Sequence, residues 1–250
     1  SHISYNPILA FAIYLVLHEI FFNKKLSNLI FSTYSFFAIS MTINMFITGG
    51  RAGQVTFFVM LIILIFQIFD KQRIKSILTI FILIPGIFFT AYQMSDLFQK
   101  RVDLAVVETM TYTDQTYTSV GLRLNFAINS FEVIKSHPII GVGTGDFPNE
   151  YKKVNEINSP GLPNTSNPHN MFTLVLVQLG LVGLASMLLI FYYQIKLSYN
   201  SPLKLVRDAG ITLPLLYLVM MLSDSYLLGH YTSLMFVFFS AFLYKDFEKN

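Results

Sequence analysis

Long apolar runs alternate with short polar connections along most of this chain. A helix needs about 20 apolar residues to cross the hydrocarbon core of a bilayer, and several runs approach that length. The pattern therefore predicts about seven transmembrane helices. They cover residues 7–22, 26–48, 53–69, 74–92, 171–195, 209–228 and 231–244.

A long polar region, residues 93–168, separates the fourth and fifth predicted helices. Apolar residues recur in it at helical spacing, which predicts an amphipathic helix over residues 119–136 that lies against the bundle or the membrane interface. Residues 155–168 have the composition of an irregular loop. The periodic positions are Val120, Leu124, Ala127, Ile128, Phe131 and Ile134.

Lysine and arginine in the short connections indicate the topology, because such residues concentrate on the cytoplasmic side. They lie at alternate ends of the predicted spans, which places residues 93–168 on the outer face. Arg51 is then the only cation in a short outer connection. The predicted fold class is an all-α polytopic membrane protein divided into helices (1–92), a partly helical outer loop (93–168) and further helices (169–250).

The composition agrees with a membrane protein. Only 12% of the residues are charged and the mean hydropathy is +0.56, whereas a soluble domain is about a quarter charged. The net charge of +3 is dispersed, which argues against nucleic-acid binding, and the absence of cysteine excludes thiol chemistry. No carboxylate or histidine motif suggests a metal, and no cofactor is expected. Because the chain starts at Ser1, we expect it to be N-terminally incomplete.

Two arginines are candidates for binding an anion. Arg51, in "TGGRAGQ", is either a snorkelling residue at the membrane surface or a guanidinium that binds phosphate through two hydrogen bonds. Arg123 lies on the amphipathic helix, on a different face from the apolar stripe. It is either an ordinary solvated residue or a second cation over the outer face of the bundle.

His169 lies at the mouth of the fifth predicted span. It is either an interfacial residue or a base or hydrogen-bond donor that acts on a hydroxyl group. Asn167 or Asn170 is suited to cap the helix start, where exposed N–H groups favour anions. The pair His18-Glu19 and Asp224 are weaker candidates, as ionisable groups in or near spans.

The segments "GLRLNFAINSFEVIKSHPIIGVGTGDF" and "NPHNMFTLVLVQLGLVGL", with "TGGRAGQ" upstream, resemble the bacterial O-antigen ligase and O-antigen polymerase superfamily over about residues 30–195. The resemblance implies a metal-independent membrane glycosyltransferase. It would move a glycan from undecaprenyl pyrophosphate to lipid A-core, at the periplasmic face of the bacterial inner membrane. It also implies that Arg51, Arg123 and His169 are the functional residues, with Asn170 as a further substrate-binding residue.

Three alternatives remain open on the sequence. A polymerase uses the same donor with a lipid-linked glycan as acceptor, and a third relative transfers glycan to protein hydroxyl groups. A transporter, from a different class, would use His18, Glu19, Asp224 and His230 as relay groups. It would need spans broken near the bilayer midplane and repeat symmetry, and neither is evident in the sequence.

Overall fold

The structure, a computed structural model, describes residues 2–111 and 117–245. Every regular element in these residues is an α-helix, and no β-strand occurs among them. In chain order the helices are α1 His2–Phe22, α2 Asn28–Ile47, α3 Arg51–Phe69, α4 Arg73–Met94, α5 Asp96–Met110, α6 Ser119–Ser136, α7 Phe147–Asn158, α8 Met171–Tyr199, α9 Lys204–Met220 and α10 His230–Leu243.

Five of these helices, α1 to α4 and α8, are long and apolar enough to cross a membrane. The protein is therefore a multi-pass membrane protein. All seven predicted spans coincide with helices, but α9 has 17 residues and α10 has 14. The helix over the sixth predicted span ends at Met220 rather than at residue 228, because the chain turns at Met221–Gly229.

The chain forms two compact units. The first contains α1 to α4, α5 as far as Val102, α8 from Gln194, α9 and α10. Within it, α1 packs against α2, α3, α9 and α10. The contact between α1 and α3 is close at Gly53, where an added Cβ atom would lie 2.1 Å from Cβ of Asn6. Small residues allow helices in membranes to approach in this way.

A buried polar cluster joins α1, α3 and α9 inside the first unit. Nε2 of His18 lies 2.9 Å from Oδ2 of Asp208, and Nζ of Lys204 donates to the same oxygen at 2.7 Å. Gln67 on α3 donates to the Asp208 carbonyl and accepts from the Tyr14 hydroxyl. Since buried charge is tolerated only when it is paired, we assign His18 to packing rather than to a relay.

The second unit runs from Asp103 to Tyr193 and includes the turn Met221–Gly229. Its helix α6 has the bounds predicted from the sequence. The predicted apolar stripe faces outward, with Ile128 and Phe131 both 54% exposed. The opposite face of α6 buries amides against α7, where Asn129 donates to Asn155 at 2.9 Å. Residues 155–158, predicted as loop, belong to α7.

Helix α8 is broken within its span. Gly180 has φ 62° and ψ −161°, which is not helical. The turn at residues 138–143 packs into the break and makes four backbone hydrogen bonds with α8. They are Val142 N–H to Val177 O, Gly143 N–H to Gln178 O, Leu181 N–H to Pro138 O and Val182 N–H to Ile139 O, at 2.9 to 3.2 Å.

The contact between this turn and α8 requires glycine on both sides. A Cβ atom on Gly180 would lie 2.3 Å from the backbone of Ile139, and one on Gly141 would lie 2.4 Å from the backbone of Gln178. A transporter helix that is broken in the membrane offers its free backbone groups to an ion or substrate. Here the turn takes those groups, so the break does not support the transporter alternative.

Candidate active site

The loop before α8 holds His169 through a set of side-chain hydrogen bonds. The Asn167 side chain accepts from the His169 N–H at 2.9 Å and from the Ser225 hydroxyl at 2.8 Å. His169 has φ 53°, a left-handed conformation uncommon for a residue with a side chain. Such a backbone persists only where its surroundings enforce it. The loop is therefore built to fix the position of this imidazole.

Asn170 forms the start of α8. Its side-chain oxygen accepts from the Thr173 N–H at 3.0 Å, and its amide donates to the Leu222 carbonyl at 3.1 Å. The Met171 N–H donates to the Met221 carbonyl. The predicted cap is therefore confirmed at Asn170. The N–H groups of Met171 and Thr173 could have bound an anion, but both already donate to protein acceptors.

Asp224 is the closest acidic partner of His169. Nδ1 of the imidazole lies 3.3 Å from Oδ1 of the carboxylate, and the two side chains are 35% and 16% exposed. The same oxygen accepts from the Ser225 N–H at 2.8 Å and from Asn167 at 3.0 Å. Burial alone would raise the pKa of the Asp224 carboxyl. The hydrogen bonds from His169, Ser225 and Asn167 outweigh it and hold that pKa below its usual value.

An ionised Asp224 decides which imidazole nitrogen can act. A carboxylate only accepts hydrogen bonds, so the proton of a neutral His169 belongs on Nδ1. Nε2 then keeps its lone pair and can accept a proton from a hydroxyl group. The pair has the geometry of a general base with a carboxylate that orients it.

Helix α6 contributes an aromatic contact to the imidazole. The Phe126 ring stacks on His169 with centroids 6.1 Å apart and planes 27° apart. Phe126 in turn meets Tyr151 of α7 edge-on at 5.9 Å. The buried face of α6 therefore packs on the His169 ring through Phe126, and Phe126 links that ring to α7.

Arg123, one turn before Phe126 on α6, is near the turn that carries Asp224. Burial raises the pKa of the Tyr226 phenol above its usual value. The Asp224 carboxylate raises it further, and the Arg123 guanidinium opposes that effect. Both charges act on the Tyr226 phenol, so Arg123 and Asp224 lie within electrostatic range of the same hydroxyl group. Tyr226 was not predicted, and Asp224 was predicted only as a weak candidate.

Arg51 lies in the first compact unit. It is the first residue of α3, it is half-buried, and no side chain caps the helix before it. The turn before it is fixed by Asn6, which donates to the Gly49 carbonyl at 3.1 Å and accepts from the Thr48 hydroxyl at 3.1 Å. A second guanidinium lies here: Nη2 of Arg101 is 3.9 Å from where a Cβ atom at Gly49 would be.

The family model described as O-antigen ligase matches residues 36–188 of the chain. This chain belongs to the O-antigen ligase family. No curated protein gives a match. The resemblance to this superfamily predicted from the motifs is confirmed. It makes the chain a member of a family of membrane glycosyltransferases that act on glycan and lipid-linked substrates.

The part matched by the O-antigen ligase model includes Arg51, Arg123 and His169, and it ends before Asp224. In this ligase-family member the carboxylate that contacts His169 therefore lies beyond the matched range. Among residues 2–111 and 117–245, no group of three His, Asp or Glu side chains has the arrangement of a metal site. Metal independence stays a prediction.

Proposed function

We propose that this protein is a glycosyltransferase of the O-antigen ligase type. It moves a glycan from undecaprenyl pyrophosphate to a sugar hydroxyl of lipid A-core, at the periplasmic face of the bacterial inner membrane. The observation that carries this proposal is the 3.3 Å contact between His169 Nδ1 and the Asp224 carboxylate. The Arg123 guanidinium acts on the same Tyr226 phenol as Asp224. A general base beside a cation suits transfer from an anionic leaving group to a hydroxyl group.

The proposed step forms one C–O bond and breaks another. The acceptor hydroxyl gives its proton to Nε2 of His169, and its oxygen bonds to the anomeric carbon of the donor sugar. The bond from that carbon to the pyrophosphate oxygen breaks, and its electron pair leaves on the pyrophosphate. Direct attack inverts the anomeric configuration. We expect the reaction to continue in EDTA, because guanidinium groups supply the charge that a metal would otherwise provide.

Arg51 and Arg123 are the proposed ligands of the pyrophosphate. A guanidinium presents two parallel donors to a phosphate group and stays charged at every relevant pH. Negative charge grows on the leaving pyrophosphate in the transition state, so fixed cations there lower the barrier. Asn170 completes the proposed substrate-binding set through the backbone that it fixes next to His169.

The acceptor distinguishes a ligase from a polymerase, since both use the same donor. The test is deletion of the gene and analysis of lipid-linked glycan, with wild-type and His169→Gln copies returned separately. A ligase deletion leaves polymerised glycan on the undecaprenyl carrier and bare lipid A-core. Single repeat units on the carrier would mean a polymerase, and an unchanged glycan profile would contradict both. The His169→Gln copy should fail to restore the wild-type profile.

A further inference from the structure

A cleft lies between the last two turns of α3 and the first three turns of α9, inside the first compact unit. Its volume is about 720 Å³. Apolar side chains of both helices form its walls: Ile63, Phe66, Ile211 and Leu215. The Gln67 amide on α3 donates to the Asp208 carbonyl at 3.2 Å and to the Thr212 hydroxyl at 3.0 Å, both on α9. The cleft therefore lies between two helices that hydrogen bonds join to each other.

The charged groups of the cleft lie at its mouth, where α3 ends and α9 begins. They are Asp70 beside α3 and Lys204, Arg207 and Asp208 on α9. From Asp70 back to Ile63, and from Arg207 forward to Leu215, the cleft extends about 10 to 12 Å along each helix. Helix α3 is long and apolar enough to cross a membrane. The mouth is thus at the membrane surface, and the apolar walls are at the depth of lipid tails.

Two of the four charges at the mouth are available to a ligand. Asp208 is only 8% exposed and is paired with Lys204 at 2.7 Å and with His18 at 2.9 Å. Nε of Arg207 lies 3.6 Å from the same carboxylate, which leaves the two terminal nitrogens of the guanidinium to donate elsewhere. Asp70 is exposed and forms no ion pair in the described part of the chain. Arg207 and Asp70 therefore offer one cation and one anion, on the two walls of the cleft.

The helix ends beside these two residues carry partial charges of the opposite kinds. Asp70 follows the last turn of α3, the negative end of that helix, and Arg207 lies in the first turn of α9, the positive end of its helix. A headgroup with only negative charge would be repelled by Asp70. A quaternary ammonium has no hydrogen to donate to its carboxylate. The mouth therefore suits a headgroup that contains both a phosphate and a primary ammonium.

We propose that this cleft binds phosphatidylethanolamine from the membrane leaflet at this end of α3. The Arg207 guanidinium binds the phosphate, and the Asp70 carboxylate accepts hydrogen bonds from the ammonium. An acyl chain lies along Phe66 and Leu215. Arg51 is at the other end of α3, about 28 Å away along the helix. The lipid site is therefore separate from the candidate active site, and the inference does not depend on the proposed function.

The test is native mass spectrometry of the purified full chain with three lipids of identical acyl chains, phosphatidylethanolamine, phosphatidylglycerol and phosphatidylcholine. The wild type should bind phosphatidylethanolamine about threefold or more tightly than the other two. Arg207→Ala should weaken binding of all three by about fivefold, because each contains a phosphate. Asp70→Asn should keep the phosphate contact and lose the preference for phosphatidylethanolamine. The matched controls are Arg73→Ala and Asp96→Asn, exposed charges at the starts of α4 and α5 and outside the cleft.

The outcomes separate the two headgroup contacts. Equal binding of the three lipids by the wild type would overturn the assignment of the headgroup, as would tighter binding of phosphatidylglycerol. Unchanged binding in Arg207→Ala would show that the lipid lies elsewhere on the protein. Arg207 also lies near Asp208, so the variant at Asp70, which is outside that buried cluster, is the second measurement. A preference that survives in Asp70→Asn would overturn the ammonium contact, and its loss there but not in Asp96→Asn would support it.

Discussion

Helices α3 and α8 start in similar ways in the sequence and differently in the structure. Each follows a polar turn and leads into an apolar span. The start of α8 is closed: Asn170 caps the Thr173 N–H, and the Met171 N–H donates to the Met221 carbonyl. The start of α3 has no side-chain cap, and its first residue is Arg51. The two starts are suited to different tasks.

The capped start of α8 fixes geometry, and the start of α3 carries a cation. At α8 the hydrogen bonds hold His169 against Asp224, so the imidazole is oriented for proton transfer. At α3 no side chain caps the helix start, and the guanidinium of its first residue, Arg51, is a group suited to an anion. The sequence led us to expect anion binding at both starts. For the N–H groups of Met171 and Thr173 that expectation is wrong, because protein acceptors occupy them.

The largest expected effect is at the closed start. His169→Gln should lower kcat by about two to four orders of magnitude, the range for general acid–base catalysis. An amide can donate a hydrogen bond but cannot take the proton. The measurement is transfer from undecaprenyl pyrophosphate-linked glycan by purified protein in liposomes. His230→Gln, an exposed histidine at the start of α10, is the control. Near wild-type turnover in His169→Gln would remove this residue from the mechanism.

At the start of α3, the shape of the Arg51 guanidinium should matter. Arg51→Ala should lower transfer by about two to three orders of magnitude, as loss of one preorganised charge contact does. Arg51→Lys should recover little, because an ammonium cannot reproduce the paired donors. Arg73→Lys is the matched control, since Arg73 is the first residue of α4. If Arg51→Lys works as well as the wild type, only the charge of residue 51 is needed.

Asp224 should have a smaller effect than the base that it orients. Asp224→Asn should lower kcat by about tenfold or more, because an amide no longer favours the proton on Nδ1 of His169. Asp96→Asn, an exposed carboxylate at the start of α5, should leave kcat unchanged. Wild-type kcat in Asp224→Asn would show that the carboxylate does not orient the base.

The smallest effect concerns stability in acid. The pKa of Asp224 in the folded protein lies below its usual value of 3.8. Its ionised form therefore stabilises the fold above pH 3.8, and that contribution is lost as the pH falls through the lower, folded value. The melting temperature of the wild type should exceed that of Asp224→Asn at pH 6, and the gap should narrow toward pH 3. A gap that widens in acid would mean that folding raises the pKa of Asp224 instead of lowering it.

The sequence pattern was sufficient to predict the helices whose limits depend on neighbouring residues. The apolar stripe and the His137-Pro138 stop predicted α6 from Ser119 to Ser136, as observed. The change from polar loop to apolar run predicted the start of α8 at Met171. The resemblance grouped Arg123 with His169, and in the structure Arg123 and Asp224, the carboxylate that contacts His169, both act on the Tyr226 phenol. The roles of these residues stay predictions until the variants are measured.

Features that depend on distant partners could not be read from the sequence. Gly180 and Gly183 stand three residues apart in "QLGLVGL", and only Gly180 leaves the helical conformation. The difference comes from residues 138–143, some 40 positions earlier, which fill the break. Asp224 was likewise an isolated carboxylate near an apolar run until the fold brought it to His169. Helix α7 was missed because only Phe147, Tyr151 and Asn155 face the core, a stripe too short to stand out in a polar segment.

The break in α8 has a consequence for how the protein is assembled. Gly180 lies about 14 Å along the helix from Met171, and lipid offers no hydrogen bonds to backbone groups at such a depth. An isolated α8 would therefore favour an unbroken helix, with the Val177 carbonyl and the Leu181 N–H paired inside it. The bent form becomes stable only when the turn at residues 138–143 has arrived. The segment that carries residues 138–143 and the span must then complete their folding together.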